Sequence, residues 1–356
     1  MIFDSPKLLA LCTKYVDCPL YDTPSIVHLA TDSKYCGERV YLERLIKDVP
    51  PPKSAIWLSR LISEHRDQFW GAWFEIMLYG YLKSIGELSI ENSDGQPDFV
   101  IKKICPILVE AKAVLTSKDE WLTDRFVSKI FISFREIQKP YVIRIADFKN
   151  SPSEIVDIEK LVKDIGNWLS TDSKNSFSWI DKYGNSLELV ADYTVGLHHV
   201  YGVRWSDLKR DITPLVNALK HKSQQHKSLR VNKTPYVIAI FLQDYNFKPR
   251  DVVSAWLGNP VARIDRMTGN LILSTDTKGV SYHKDEIVNT SVSGFLVFTP
   301  KYSESNLQRE LEAFWVENPF AVNDVKIDNQ LFPAMEKFVV RESTETDVSM
   351  SWIQEI

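Results

Sequence analysis

Between Ser63 and Gly86 the apolar residues Phe69, Trp70, Trp73, Phe74, Met77, Leu78, Tyr81, Leu82 and Ile85 recur at spacings of three and four. That period predicts one long amphipathic helix, with Gly86 as its natural stop. So aromatic a stripe places the helix deep in the fold. Three short strands are expected next, at about 87–91, Asp98–Ile104 and Ile107–Leu115, separated by the turn-rich Asn92-Ser93-Asp94-Gly95 and by Cys105-Pro106. A second helix is predicted over about 119–137, followed by a buried strand at 140–145.

The letters Pro140-Tyr141-Val142-Ile143-Arg144-Ile145 return nearly unchanged at Pro235-Tyr236-Val237-Ile238-Ala239-Ile240. Nothing around them repeats, so the echo reads as two strands of one sheet meeting the same packing demand. Between them the pattern predicts a helix near 153–170, a hairpin around Asp181–Val195 and a helix near Thr213–Leu229. Short strands are expected at Asp265–Ser274 and Gly294–Thr299, then a helix around Ser305–Trp315 and a polar, acidic tail. Helices alternating with strands argue for an α/β sheet with helical cover. Three regions are expected: an N-terminal extension over 1–55 ending at the stiff run Pro50-Pro51-Pro52, a core over 56–245 with an insertion near 150–205, and a C-terminal α+β region over 246–356.

Composition narrows the class. The 356 residues are 44% hydrophobic and include 10 Trp, enough for a large core and incompatible with a mainly disordered or collagen-like chain. No apolar run approaches the ~20 residues that a membrane-spanning helix needs, so no membrane partner is expected. The start Met-Ile-Phe-Asp-Ser-Pro lacks the basic and apolar stretches of a signal peptide. Four cysteines (Cys12, Cys18, Cys36 and Cys105) without a C-x-x-C pair suit a cytoplasmic chain with reduced thiols. The first three are expected as small packing residues. The net charge of −4 excludes a wholly basic nucleic-acid binder but not a local basic face.

The chemistry concentrates in Pro97-Asp98 and, eleven residues on, Glu110-Ala111-Lys112. Strand alternation puts Leu108, Glu110 and Lys112 on one side and Val109, Ala111 and Ala113 on the other, so a carboxylate and an ammonium stand roughly 7 Å apart on one face. Asp98, at the start of the preceding strand, is placed to converge with Glu110 on a hard divalent cation. Oxygen ligands of this kind suit Mg²⁺, which binds through one or two carboxylates and keeps several waters. Lys112 would position or deprotonate a water and neutralise charge on a phosphate. The carbonyl of Ala111 is a further candidate ligand. Glu75 interrupts the aromatic helix and is either another metal ligand or a helix-to-sheet hydrogen-bond partner.

These residues resemble the PD-(D/E)XK nuclease superfamily, whose pattern is a helix bearing Glu, an Asp on one strand, Asp/Glu-x-Lys on the next, then a helix and a strand. The resemblance runs through Glu75, Pro97-Asp98, Glu110-Ala111-Lys112, the helix near 119–137 and the strand at 140–145. It covers about 64–145 and extends as far as 242. It implies a restriction-endonuclease-like α/β fold with a mixed central sheet flanked by helices. It also implies a Mg²⁺-dependent nuclease, with Mn²⁺ able to substitute, that cleaves DNA. Chains of this bacterial kind often serve restriction or anti-phage defence, so other defence-system proteins and a second copy of the chain are the expected partners. A nuclease-fold subunit without turnover, binding DNA or a partner, is the alternative.

The bland readings stand beside these. Asp98, Glu110 and Lys112 also fit a structural ion pair at a sheet end. The triplet alone means little, since Asp172-Ser173-Lys174 and Asp276-Thr277-Lys278 share its form. His65 precedes the aromatic helix, where capping or surface exposure outweighs catalysis. His198-His199 has no acidic or Cys partner at a zinc-like spacing. From Arg204 to Lys233, eight Lys/Arg stand against Asp207 and Asp211, a local net of +6. Lys209, Arg210, Lys220, Lys222, Lys227 and Arg230 are either phosphate contacts or a solvated face.

Overall fold

The computed structural model describes residues 2–18, 23–90, 96–102, 105–116, 121, 142–148, 158–171, 176–180, 186–192, 212–225, 234–243, 247–264, 271–276, 278–284, 286–301, 310–323, 325, 336–343 and 348–353. Those within 1–18, 23–115 and 212–356 form one compact unit, and those within 116–211 form another.

The larger unit opens with five helices: α1 (Pro6–Lys14), α2 (Ser25–Thr31), α3 (Cys36–Lys47), α4 (Lys53–Leu61) and α5 (Arg66–Ile85). The proline run separates α3 from α4, since proline can neither donate to a preceding turn nor let the residue before it stay helical. Helix α5 is the aromatic helix that the periodicity predicts, and ten of its residues are buried. It stops at Gly86, whose extended backbone (φ 179°) breaks the helix without a left-handed turn. The strands β1 (Leu88–Ile90), β2 (Phe99–Ile101) and β3 (Ile107–Val114) then fold as an antiparallel meander.

In the smaller unit, β4 (Val142–Phe148), α6 (Ile158–Thr171), β5 (Ser176–Ile180) and β6 (Ser186–Asp192) give a three-stranded antiparallel sheet, order β4-β6-β5, beside one helix. Trp168 of α6 stacks on Phe177 of β5 at 5.3 Å between ring centroids.

The chain rejoins the larger unit through α7 (Thr213–Gln224), β7 (Tyr236–Leu242) and α8 (Pro249–Leu257). Gly258 ends α8 at φ 92°, a conformation glycine adopts without steric cost. Next come the hairpin β8–β9 (Pro260–Ile264, Leu271–Thr275), the two-residue strands β10 (Tyr282–His283) and β11 (Glu286–Ile287), and then β12 (Gly294–Lys301), β13 (Glu310–Glu317), β14 (Glu336–Ser343) and β15 (Val348–Ile353). The central sheet is mixed, eight strands in the order β1-β2-β3-β7-β12-β13-β14-β15. Its parallel heart is β3-β7-β12.

Alternation along the central strands divides the core. Val237, Ala239 and Phe241 pack with α1–α5, whereas Tyr236, Ile238, Ile240 and Leu242 pack with α7 and α8. The unit is therefore an α/β structure with helices on both faces of a mixed sheet, and all seven residues of β7 are buried.

Two expectations about strands and helices are overturned. The echoed strands do not share a sheet: β4 pairs with β6 in the smaller unit, and β7 takes the central place beside β3. The stretch expected as a helix over Ser305–Trp315 contributes strand β13, antiparallel to β12. Of the helix expected over 119–137, only Trp121, which is helical, lies among the described residues. Cys18 and Cys36, expected as packing residues, are exposed; Cys12 is partly buried, and all four thiols are free.

Gly294 starts β12 under Trp315, where an added Cβ would lie 2.4 Å from the indole and 2.9 Å from the carbonyl oxygen of Val316. Gly294→Ala is expected to destabilise the chain by about 1–3 kcal/mol through overpacking. Chemical-denaturant midpoints check this, and an unshifted midpoint would contradict the contact.

Candidate functional site

The meander leaves part of β3 uncovered. Strand β2 pairs with β3 only as far as Phe99↔Val109. Beyond that point the sheet opens, and side chains replace the missing strand. The amide of Ala111 donates to Asp98 Oδ2 at 2.9 Å, and the amide of Asp98 donates to Glu110 Oε2 at 3.3 Å. Each acidic residue thus closes a backbone donor that the ended strand leaves open. This reciprocal pair brings Asp98 and Glu110 together, each through the backbone next to the other.

Glu110 faces the α7 side of the sheet, as do its even-numbered neighbours Leu108 and Val114, which pack there. It is 5% exposed. A buried carboxylate requires a partner, and Lys222 of α7 supplies one through a short ion pair to Oε1. Helix α7 is fixed for this contact by Tyr236, whose hydroxyl donates to the carbonyl of Lys222 at 3.0 Å. Lys222 is therefore not on a solvated basic face: its side chain is 12% exposed and committed to Glu110. Lys220, two residues earlier, is exposed. Lys209, Arg210, Lys227 and Arg230, like His198-His199, lie outside the described residues.

Glu75 is buried on α5, against α4. Trp57 Nε1 donates to its Oε2 at 2.7 Å, and Arg60 Nη1 donates to its Oε1 at 2.8 Å. The guanidinium lies over Gly71, one turn before Glu75, where a Cβ would come within 2.6 Å of an Arg60 nitrogen. Lys53 completes the group. Its ammonium sits 3.9 Å from Glu75 Oε2 and 3.8 Å from Asp98 Oδ1, and 5.7 Å from the centre of the Trp57 ring. Lys53, Trp57 and Arg60 occupy positions i, i+4 and i+7 of α4, one helical face. Sequence reasoning misses all three. Their spacing is visible in the sequence, but it gains meaning only opposite Glu75.

Lys112 lies two residues beyond Glu110 and is exposed. Its crowded surroundings still hold its pKa below the usual lysine range, chiefly by desolvation, with the charges of Lys222 and Arg60 adding and that of Asp67 opposing. His65 is the residue before α5, exposed and making no side-chain cap bond.

The site thus joins three carboxylates (Glu75, Asp98 and Glu110) to four cations (Lys53, Arg60, Lys112 and Lys222). Among the described residues no three His, Cys, Asp or Glu side chains form a ready ligand cage. The donors present, Asp98 and Glu110 with the Ala111 carbonyl nearby, fit an ion that takes one or two carboxylates and fills its octahedron with water and substrate oxygens, as Mg²⁺ does. Among the described residues no helix is long and apolar enough to cross a membrane. No protein-family model, curated protein or solved structure matches this chain.

Proposed function

We propose that this chain is a Mg²⁺-dependent deoxyribonuclease with a restriction-endonuclease-like core, acting in the cytoplasm within a DNA-processing or defence system. The observation that carries the reading is the reciprocal Asp98–Glu110 pair at the point where the sheet opens, with Lys112 next along the strand. The order α5, β1-β2-β3 meander, α7 and parallel β7 supports it, with the smaller unit inserted between β3 and α7. In this reading α7 and β7 take the roles that the resemblance gives to 119–137 and 140–145.

Asp98, Glu110 and the carbonyl of Ala111 would hold the ion. Bound there, it would polarise the scissile phosphate and make hydroxide available near neutral pH. Lys112 orients the attacking water and offsets charge developing on the phosphate. Lysine and arginine contacts to phosphate would fix the position of a nucleic acid and read no base.

The test incubates the purified chain with supercoiled plasmid in Mg²⁺, Mn²⁺ or chelator. Metal-dependent nicking is expected, and Lys112→Ala should slow it by about 10²-fold or more while the chain still folds and binds DNA. Undiminished nicking by that variant would remove Lys112 from the chemistry. A second reading, a nuclease-fold subunit that binds DNA or a partner without turnover, is favoured by one feature: all three carboxylates already have a cation of the chain within ion-pair reach. It predicts DNA binding with no products in any metal.

A further inference from the structure

The cations around the carboxylates are not equivalent. Arg60 and Trp57 bind Glu75 at 2.8 and 2.7 Å, true hydrogen bonds that satisfy both of its oxygens. Asp98 already accepts the Ala111 amide. Glu75 therefore needs no further donor, and for Asp98 Lys53 supplies a charge rather than a hydrogen bond. At 3.8 and 3.9 Å it stands outside hydrogen-bond distance of both carboxylates and between them. Its location is also costly locally. Lys53 is the first residue of α4, where the positive end of the helix disfavours an ammonium, and Pro52 at the cap makes no side-chain bond to the free amides. The side chain is nonetheless drawn in to 12% exposure. A loosely held, nearly buried charge centred on two acids behaves as a counter-ion, not as a brace.

We propose that Lys53 is a resident counter-cation of the candidate site: its ammonium offsets the charge of Glu75 and Asp98 until a divalent ion is taken up, and it must withdraw when Asp98 becomes a ligand. The inference rests on the nuclease reading and adds a gate to it. Lys53 is a positioning residue for the ion, set against uptake of metal alone. Lys222, in short contact with Glu110, is the anchored counterpart.

Mn²⁺ alone is the probe, titrated by calorimetry into the full chain without DNA, so the readout does not depend on cleavage. Removing a unit charge about 4 Å from a ligand oxygen should tighten Mn²⁺ binding about tenfold in Lys53→Met, while Lys53→Arg keeps the wild-type affinity. Glu75 keeps Trp57 and Arg60 in Lys53→Met, so the fold is retained; thermal unfolding verifies this. That pattern supports the gate. If Lys53→Met binds Mn²⁺ no tighter than wild type while Asp98→Asn abolishes wild-type binding, the gate is overturned and the metal site stands. If neither wild type nor Lys53→Met takes up Mn²⁺, the gate and the metal site are overturned together.

Discussion

Asp98→Asn is expected to lower Mg²⁺-dependent DNA cleavage by about 10³-fold or more while leaving the fold intact. The asparagine carbonyl can still accept the Ala111 amide that Asp98 accepts at 2.9 Å, so the backbone at the opening of β3 keeps its closure. What disappears is the negative charge. A divalent ion relies on it for binding, and the developing charge on a phosphate relies on the ion, a contribution of several kcal/mol at about 1.4 kcal/mol per factor of ten. Plasmid nicking rates over a range of Mg²⁺ concentrations check this, with unfolding midpoints run in parallel. Raised Mg²⁺ should recover part of the activity if Glu110 still holds the ion weakly. Cleavage by Asp98→Asn at the wild-type rate would leave Asp98 as a strand-closing residue alone.

How far the sequence foretells this structure varies element by element. Helix α5 and the β1-β2-β3 meander are legible because their apolar positions follow a single period; Glu110-Ala111-Lys112 lies on β3, and Pro97-Asp98 immediately precedes β2. The placing of the two echoed strands in one sheet fails because the segments carry nearly the same letters. The distinction is present in them. A central parallel strand is buried on both faces and takes an uninterrupted apolar run; Tyr-Val-Ile-Ala-Ile-Phe-Leu at 236–242 is one, whereas the segment at 142–148 carries Arg144 and Asp147. Identity over the first four letters, Pro-Tyr-Val-Ile, hides the difference at the fifth, Arg144 against Ala239.

Strand β13 reads as a helix for a related reason. Leu307, Leu311, Phe314 and Trp315 fall at helical spacings, but Leu311, Ala313 and Trp315 pack to one face and Phe314 and Val316 to the other. When most residues of a short run are apolar, both periods fit, and pairing with β12 decides. The Lys222–Glu110 pair spans 112 positions and has no local signature at all. A lysine in a basic segment reads as solvated until a buried acid faces it. Lys53 and Arg60 escape notice on the same ground, as ordinary polar positions of a surface helix.

Glu75→Ala is expected to destabilise the chain by about 1–3 kcal/mol, chiefly the cost of leaving the buried indole N–H of Trp57 without its acceptor, since the Arg60 side chain is 34% exposed and regains water. The carboxylate is 8% exposed. Its loss releases the Arg60 guanidinium and strands the indole N–H of Trp57, a ring with no solvent exposure at the centre of the α4–α5 packing. Glu75→Gln should cost less, because a carbonyl oxygen remains to accept one of the two donors, although the charge that holds Arg60 is gone. The pair of variants also separates the two roles open to this residue. With both oxygens engaged by Arg60 and Trp57, Glu75 acts as the brace that sets α4 against α5 and so presents Lys53 to Asp98. Glu75→Gln should then fold with a lowered denaturant midpoint and still cleave DNA in saturating Mg²⁺. Were Glu75 an ion ligand instead, Glu75→Gln would lose cleavage in proportion to lost Mn²⁺ affinity at nearly unchanged stability, and calorimetry beside the unfolding curves tells the two apart.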